Sequence, residues 1–194
     1  EIMPSLVGSE MCIRDRRKRE QNGGRNMHSF QSFTADMLEC SPFDKIGKEW
    51  MLVTAGNEEK VNTMTASWGG MGVMWGKNAA FVVIRQSRYT KEFIDREGTF
   101  SLSFLGEKHR NMLKYLGTVS GRTEDKLKEA GVEIDYQNGV PYVDQANLVL
   151  ICRAMSATEI KPEEFLDGEI DEKWYADKDY HTLYIAEITD FLAR

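Results

Sequence analysis

Arg85, Ser87, Arg88, Tyr89 and Thr90 carry the densest chemistry in this chain. They lie in IRQSRYTKEF, residues 84–93, where an apolar run gives way to two arginines and three hydroxyls. A helix opening there would present N–H groups with no carbonyl to meet, at the positive end of its dipole. With Ser87 as the cap, the third helical position holds Thr90 rather than the Glu or Gln that would close a capping box. Charge, hydroxyl donors and free backbone donors in one place are what a phosphate monoester needs. The same residues also suit an ordinary capped helix with surface arginines, and this stretch alone does not decide between the two.

A second stretch, NTMTASWGG at residues 62–70, crowds Asn62, Thr63, Thr65 and Ser67 together and ends in Trp68-Gly69-Gly70. Short polar side chains beside bare glycine backbone suit the polar edge of a flat heteroaromatic ring, because glycine lets the backbone approach closely. Trp68 or Trp75 would supply an apolar wall. A phosphate cradle with such a strand one hairpin away suits flavin mononucleotide. The competing reading is a sheet edge followed by a mobile loop, and the residues of this stretch alone leave both open.

Other chemistry drops out on spacing. GGMGVMWGK lacks G-x-G-x-x-G and no βαβ unit surrounds it. Gly76-Lys77 is no P-loop, since Met71 stands at the first glycine position and Asn78 replaces the Ser or Thr. No G-x-S-x-G elbow occurs, and His28, His109 and His181 are too scattered to argue a triad. His181 reads as a hydrogen-bonded structural residue inside a strand. Neither HExxH nor CxxC is present, so no metal site is expected. Cys12, Cys40 and Cys152 form no disulfide framework, which points to a reducing, cytoplasmic setting. A net charge of −6 argues against a general nucleic-acid binder. No apolar run approaches the roughly 20 residues that span a membrane.

The elements that must position these groups follow from periodicity. EWMLVTAG (49–56) and 61–68 read as a hairpin around NEEK, AAFVVIRQ (79–86) as a buried strand, and RYTKEFIDRE (88–97) as an amphipathic helix with a Glu92–Arg96 pair. TFSLSFL (99–105) alternates, with one apolar face. Residues 107–116 and 121–131 read as helices, the first turning Met112, Leu113 and Leu116 inward and the second closing at Gly131. Asn138-Gly139 marks a tight turn. ANLVLICRAMSATEI and YHTLYIAEITDFLAR are strands, and the acidic stretch between them is irregular, with surface helical turns. With no repeat or linker inside 27–194, one domain is expected, a small antiparallel barrel with helical decorations. Residues 1–26 show no period, carry a late basic cluster, and include PSLVGSEMCIRD, which resembles translated adapter sequence at the ends of assembled metagenomic reads. Met27 is the expected native start and 1–26 a non-native or disordered leader. The alternative is a basic nucleic-acid-binding arm.

The run VNTMTASWGGMGVMWGKNAAFVVIRQSRYTKEFIDREGTFSLSFL, joined by SGRTEDKLKEAG, VPYVDQANLVLICR and KDYHTLYIAEI, resembles the flavin reductase-like, FMN-binding split-barrel proteins, especially their flavoredoxin-like branch in anaerobic bacteria. The resemblance implies a mainly β fold with α insertions, a six-stranded antiparallel Greek-key split barrel, and a homodimer with FMN near its interface. It also implies a ring edge held around Asn62, Thr63, Met64, Thr65, Ser67 and Trp68, a phosphate held by Arg85, Ser87, Arg88, Tyr89 and Thr90, and contacts from Ser120, Arg122 and Lys126. Gln86 stands where relatives have proline, which loosens the turn. The implied reaction is hydride transfer from NADH or NADPH to flavin, with no catalytic acid or base required. The alternatives are a flavoredoxin-type carrier serving a redox partner protein, a pyridoxamine-phosphate-oxidase-like enzyme, and a barrel without cofactor.

Overall fold

The computed structural model describes residues 29–194, so the reading of residues 1–26 lies outside the described residues. The chain runs β1 (Gln31–Phe33), a π-helical stretch (Phe43–Glu49), β2 (Met51–Gly56), β3 (Val61–Ala66), β4 (Gly69–Met74) and β5 (Lys77–Arg85). It continues through α1 (Tyr89–Glu97), β6 (Thr99–Phe104), α2 (Arg110–Thr118), α3 (Lys126–Glu129), β7 (Ile134–Gln137) and β8 (Val140–Val143). It ends with β9 (Leu148–Glu159), α4 (Glu169–Trp174) and β10 (His181–Ala193).

Six strands lie in the order β3-β2-β6-β9-β10-β5, antiparallel at every junction. Met64 and Ala66 from one end of this row enter the same buried cluster as Val82 and Ile84 from the other, together with Phe100, Leu102 and Phe104 of β6. A row whose two ends share one core must curl around it. β4 extends the path beyond β5, and β3 and β4 are not paired with each other among the described residues, so the barrel stays split. The architecture is the expected mainly β split barrel with helical insertions. β10 is the hinge of the row: β9 runs along one side, while β5 and then β1 share the other.

A second cluster covers the outside of the sheet. Leu113 and Leu116 of α2 and Val140, Tyr142 and Val143 of β8 bury Leu52, Val149 and Ile151. The alternation of β6 therefore has two dry faces rather than the single apolar one expected. Ser101 and Ser103 are fully buried, and their hydroxyls serve the passing β8 backbone, Ser101 donating to the Pro141 carbonyl (2.7 Å) and Ser103 accepting from the Val143 N–H (3.3 Å). A buried backbone without such partners would be costly.

Several expectations are corrected. The stretch after Trp68 is a strand and not a loop: β4 pairs with β5 from Gly69↔Val82 to Met74↔Lys77. Its turn is Trp75-Gly76, both at positive φ (51° and 73°), the two-residue geometry that matches strand twist. Gly69, at φ 152°, is obligatory, since a Cβ there would stand 2.2 Å from the Phe81 carbonyl oxygen. The segment 121–131 is helical only over Lys126–Glu129. Glu92 does not pair with Arg96. It reaches Arg122, and Arg96 turns to Glu97.

Candidate functional site

β5 delivers the chain to the start of α1. After Arg85 the backbone turns, with the Arg88 N–H on the Arg85 carbonyl (3.1 Å), and Arg88 rather than Ser87 is the N-cap. The Arg88 side chain makes no capping bond to the helix. The N–H groups of Tyr89 and Thr90 thus have no carbonyl within the helix to meet. β3 is fastened to this point by a buried bond, Asn62 Nδ2 donating to Thr90 Oγ1 at 2.8 Å.

The connection from α2 to α3 passes over the same place. A recess of about 180 Å³ lies between them, lined by Asn62, Met64, Ser87–Thr90, Thr118–Gly121 and Lys126. Two cations enter it. Arg88 donates Nη1 to the Gly117 carbonyl (2.8 Å), and Lys126 donates Nζ to the carbonyls of Leu116 and Val119 (both 3.0 Å). Neither has a carboxylate in ion-pair range among the described residues. Lys126 is only 4% exposed. Burial, and secondarily the charge of Arg88, pulls its ammonium down to about 8. Burying a charge without a counterion is expensive, and here a helix N-terminus and a second cation lie beside it. Such an arrangement suits an anion. Gly121 seals one wall: a Cβ there would come within 2.1 Å of Asn62 Oδ1 and 3.4 Å of the Tyr89 ring.

Of the sequence-predicted residues, the structure brings Asn62, Met64, Ser87, Arg88, Tyr89, Thr90, Ser120 and Lys126 to this recess. Ser87 has its hydroxyl on Asp179 (2.5 Å). Arg122 lies against the recess mouth, stacked 4.7 Å from the Tyr89 ring centre. The others sit elsewhere. Thr63 and Thr65 occupy the opposite face of β3 from Asn62, because side chains alternate along a strand. Thr63 bonds to Thr54 (2.8 Å), and Thr65 donates to the Leu113 carbonyl (2.5 Å). Ser67 lies in the two-residue link between β3 and β4. Arg85 is absent from the recess lining. Its guanidinium is taken by Asp177, the Asp179 carbonyl and the Trp174 carbonyl.

Trp68 belongs to an aromatic group the sequence did not announce. Its ring meets Trp174 edge-on at 5.0 Å and lies tilted over His181 at 5.2 Å. His181 is buried, with Nδ1 in hydrogen-bond contact with the Tyr175 hydroxyl (2.8 Å). Burial, then the neighbouring Arg85, pulls its imidazole down to about 4, so the ring is neutral near pH 7. Gly121, Asp179 and Tyr175 were missed as functional neighbours, and only the turn-forming SGR run hinted at the first.

Residues 43–194 match the family described as flavin reductase like domain. The uncharacterized protein YddH of Escherichia coli (strain K12) is 31% identical over 126 residues, which is 62% of this chain and 66% of that protein, just under two thirds of its length. Flavoredoxin from Methanosarcina acetivorans is similar at TM-score 0.59 and 23% identity, over 75% of this chain and 68% of that one. An FMN-binding domain of a flavin reductases-like enzyme from Shewanella baltica OS155 is similar at TM-score 0.60 and 20% identity, over 85% and 77%. At these identities the two solved structures speak for the fold alone.

Proposed function

This chain belongs to the flavin reductase like domain family, and from that premise we propose that it is an FMN-binding oxidoreductase that accepts hydride from NADH or NADPH and passes electrons to a further acceptor. The observation that carries the proposal is the buried Lys126 ammonium, held among the described residues only by carbonyl oxygens, beside Arg88 and the open start of α1. A phosphate there would supply the missing counter-charge through charge-assisted hydrogen bonds. The residues fit FMN: cations for its phosphate, and the polar Asn62 where the ring edge would begin.

FMN supplies hydride acceptance and electron storage. The chain's own part is to bind and orient. In this reading Arg88, Lys126 and the Tyr89 and Thr90 N–H groups hold the phosphate, with Ser87, Ser120 and Arg122 at its margin. Asn62, Met64, Ser67 and Trp68 line the way to the ring, while Thr63 and Thr65 brace β3 from behind. Arg85 acts through the segment 174–179 that it ties down. A homodimer with the cofactor near its interface, in a cytoplasmic setting, belongs to the same proposal.

One observation favours a flavoredoxin-type carrier instead. The exposed edge of Trp174 sits within residues 161–180, where eight acidic side chains outnumber three lysines, an excess that remains after Asp171 pairs with Lys178 and Asp177 with Arg85. That surface would repel the pyrophosphate of a nicotinamide nucleotide and suit a basic redox protein. Anaerobic titration of the purified protein with NADH and then NADPH, followed by visible absorbance, separates the two. Rapid bleaching of a bound-flavin spectrum is the result expected of the reductase. Bleaching only by dithionite or a reduced ferredoxin favours the carrier. A colourless protein that ignores added FMN removes both.

A further inference from the structure

The lid of the recess is latched by a residue that touches no part of it. Residues 119–125 join α2 to α3, and Val119, Ser120 and Gly121 among them line the recess, Val119 lending its carbonyl to Lys126. On the α2 side the segment is tied by Glu124, which accepts from the Tyr115 hydroxyl at 2.6 Å. On the α1 side it is tied by Arg122. That guanidinium donates Nη1 to the Ser87 carbonyl (2.9 Å), stacks on Tyr89 and closes on the Glu92 carboxylate through Nη2. Glu92 itself lies in the first turn of α1 and outside the recess lining.

An acidic side chain this close to an anion site weakens the site electrostatically, so its presence calls for an offsetting role. We propose that Glu92 is a positioning residue: through Arg122 it holds residues 119–125 across the recess and thereby sets how fast a phosphate-bearing ligand leaves. The proposal rests on the reading of the recess as the FMN phosphate site.

The two effects of Glu92 have opposite signs, which makes the test decisive. In Glu92→Gln the loss of a negative charge alone would slow FMN release. Loss of the latch would speed it. The pair is solvent-exposed, with the Glu92 and Arg122 side chains 59% and 42% accessible, so its closing strength is that of a surface ion pair and the speed-up is roughly two- to fivefold. Glu92→Asp keeps the charge and shortens the reach, so faster release there has no electrostatic explanation. Release is followed by stopped-flow dilution of FMN-loaded protein, reading the flavin fluorescence regained. Hydrogen exchange of residues 119–125 is measured in parallel on the ligand-free protein. Both variants are expected to release FMN faster and to exchange those amides faster than the unaltered chain. Unchanged or slower release in Glu92→Gln, with unchanged exchange, overturns the latch. If no form takes up FMN, the flavin reading fails. The exchange data then decide the latch by themselves, faster loop exchange in both variants supporting it and unchanged exchange overturning it.

Discussion

Replacing Gly121 by Ala strikes the site at its tightest contact. A Cβ at Gly121 stands 2.1 Å from Oδ1 and 3.1 Å from Cγ of Asn62, where an ordinary van der Waals separation is about 3.5 Å. The amide has to retreat by more than an ångström. Asn62 is 4% exposed, so it is boxed in on most sides, and a retreat into the recess that it lines would narrow the site. Its buried bond to Thr90, 2.8 Å long, is lost as it moves. A lost buried hydrogen bond costs ~1–3 kcal/mol and forced repacking ~1–3 kcal/mol more, offset by ~0.4–1 kcal/mol from the stiffer unfolded chain. The net destabilisation is about 2–4 kcal/mol. Asn62→Ala removes the obstacle, so on that background Gly121→Ala costs less than ~1 kcal/mol, and the cycle shows a coupling above ~1 kcal/mol. Denaturant melts of the four proteins measure the coupling, and FMN titration of each adds the expected loss of affinity in Gly121→Ala. Equal costs on the two backgrounds would refute the assigned clash.

Arg88→Ala removes a charge-assisted partner and should weaken FMN binding by roughly tenfold or more, whereas Arg85→Ala should leave affinity within a few-fold and instead open residues 174–179 to protease; fluorescence titration and limited proteolysis check both. Lys126 titrates at about 8 in the free chain, and a bound anion raises it. Affinity should therefore hold below pH 8 and fall above it, and Lys126→Met should flatten that profile. The ligand-free fold should respond in the opposite direction. Because the folded value lies below the unfolded one, the unfolded chain binds the extra proton between them, and stability rises with pH across that window. For His181, NMR titration should find a midpoint near 4, and stability should fall as pH drops from about 6.5 through that value, since the unfolded imidazole takes up the proton first.

What was legible in the sequence was what local rules dictate. The alternation of TFSLSFL, the Asn138-Gly139 turn (φ 52° and 80°) and the Gly131 helix end (φ 63°) rest on neighbours a few residues away. β4 was hidden because GGMGVM has only one good strand former. Its strand exists because β5 offers an edge and the glycines let it close in. Of the candidate site, the polar residues were visible but not their directions. Period-two alternation already separates Asn62 and Met64 from Thr63 and Thr65, and crowding them into one group missed that rule. The fate of Arg85 was not legible at all, since its partner Asp177 is far along the chain and lies in an irregular segment. Lys126 stood out only through the resemblance, because a lysine's burial is decided by whatever crosses above it.

β10 has a consequence for how the protein is made. It lies between β9 and β5 in the row and follows both in the chain. Until residues 181–193 have left the ribosome, β2, β3, β6 and β9 can form one fragment and β4 and β5 another, with no strand to join them. Each fragment then presents an unpaired edge lined with the apolar side chains of the future core, such as Val82 and Ile84 on one and Leu150 and Cys152 on the other. Such edges recruit strands from other chains. A chaperone that shields the growing chain would act before the last strand emerges.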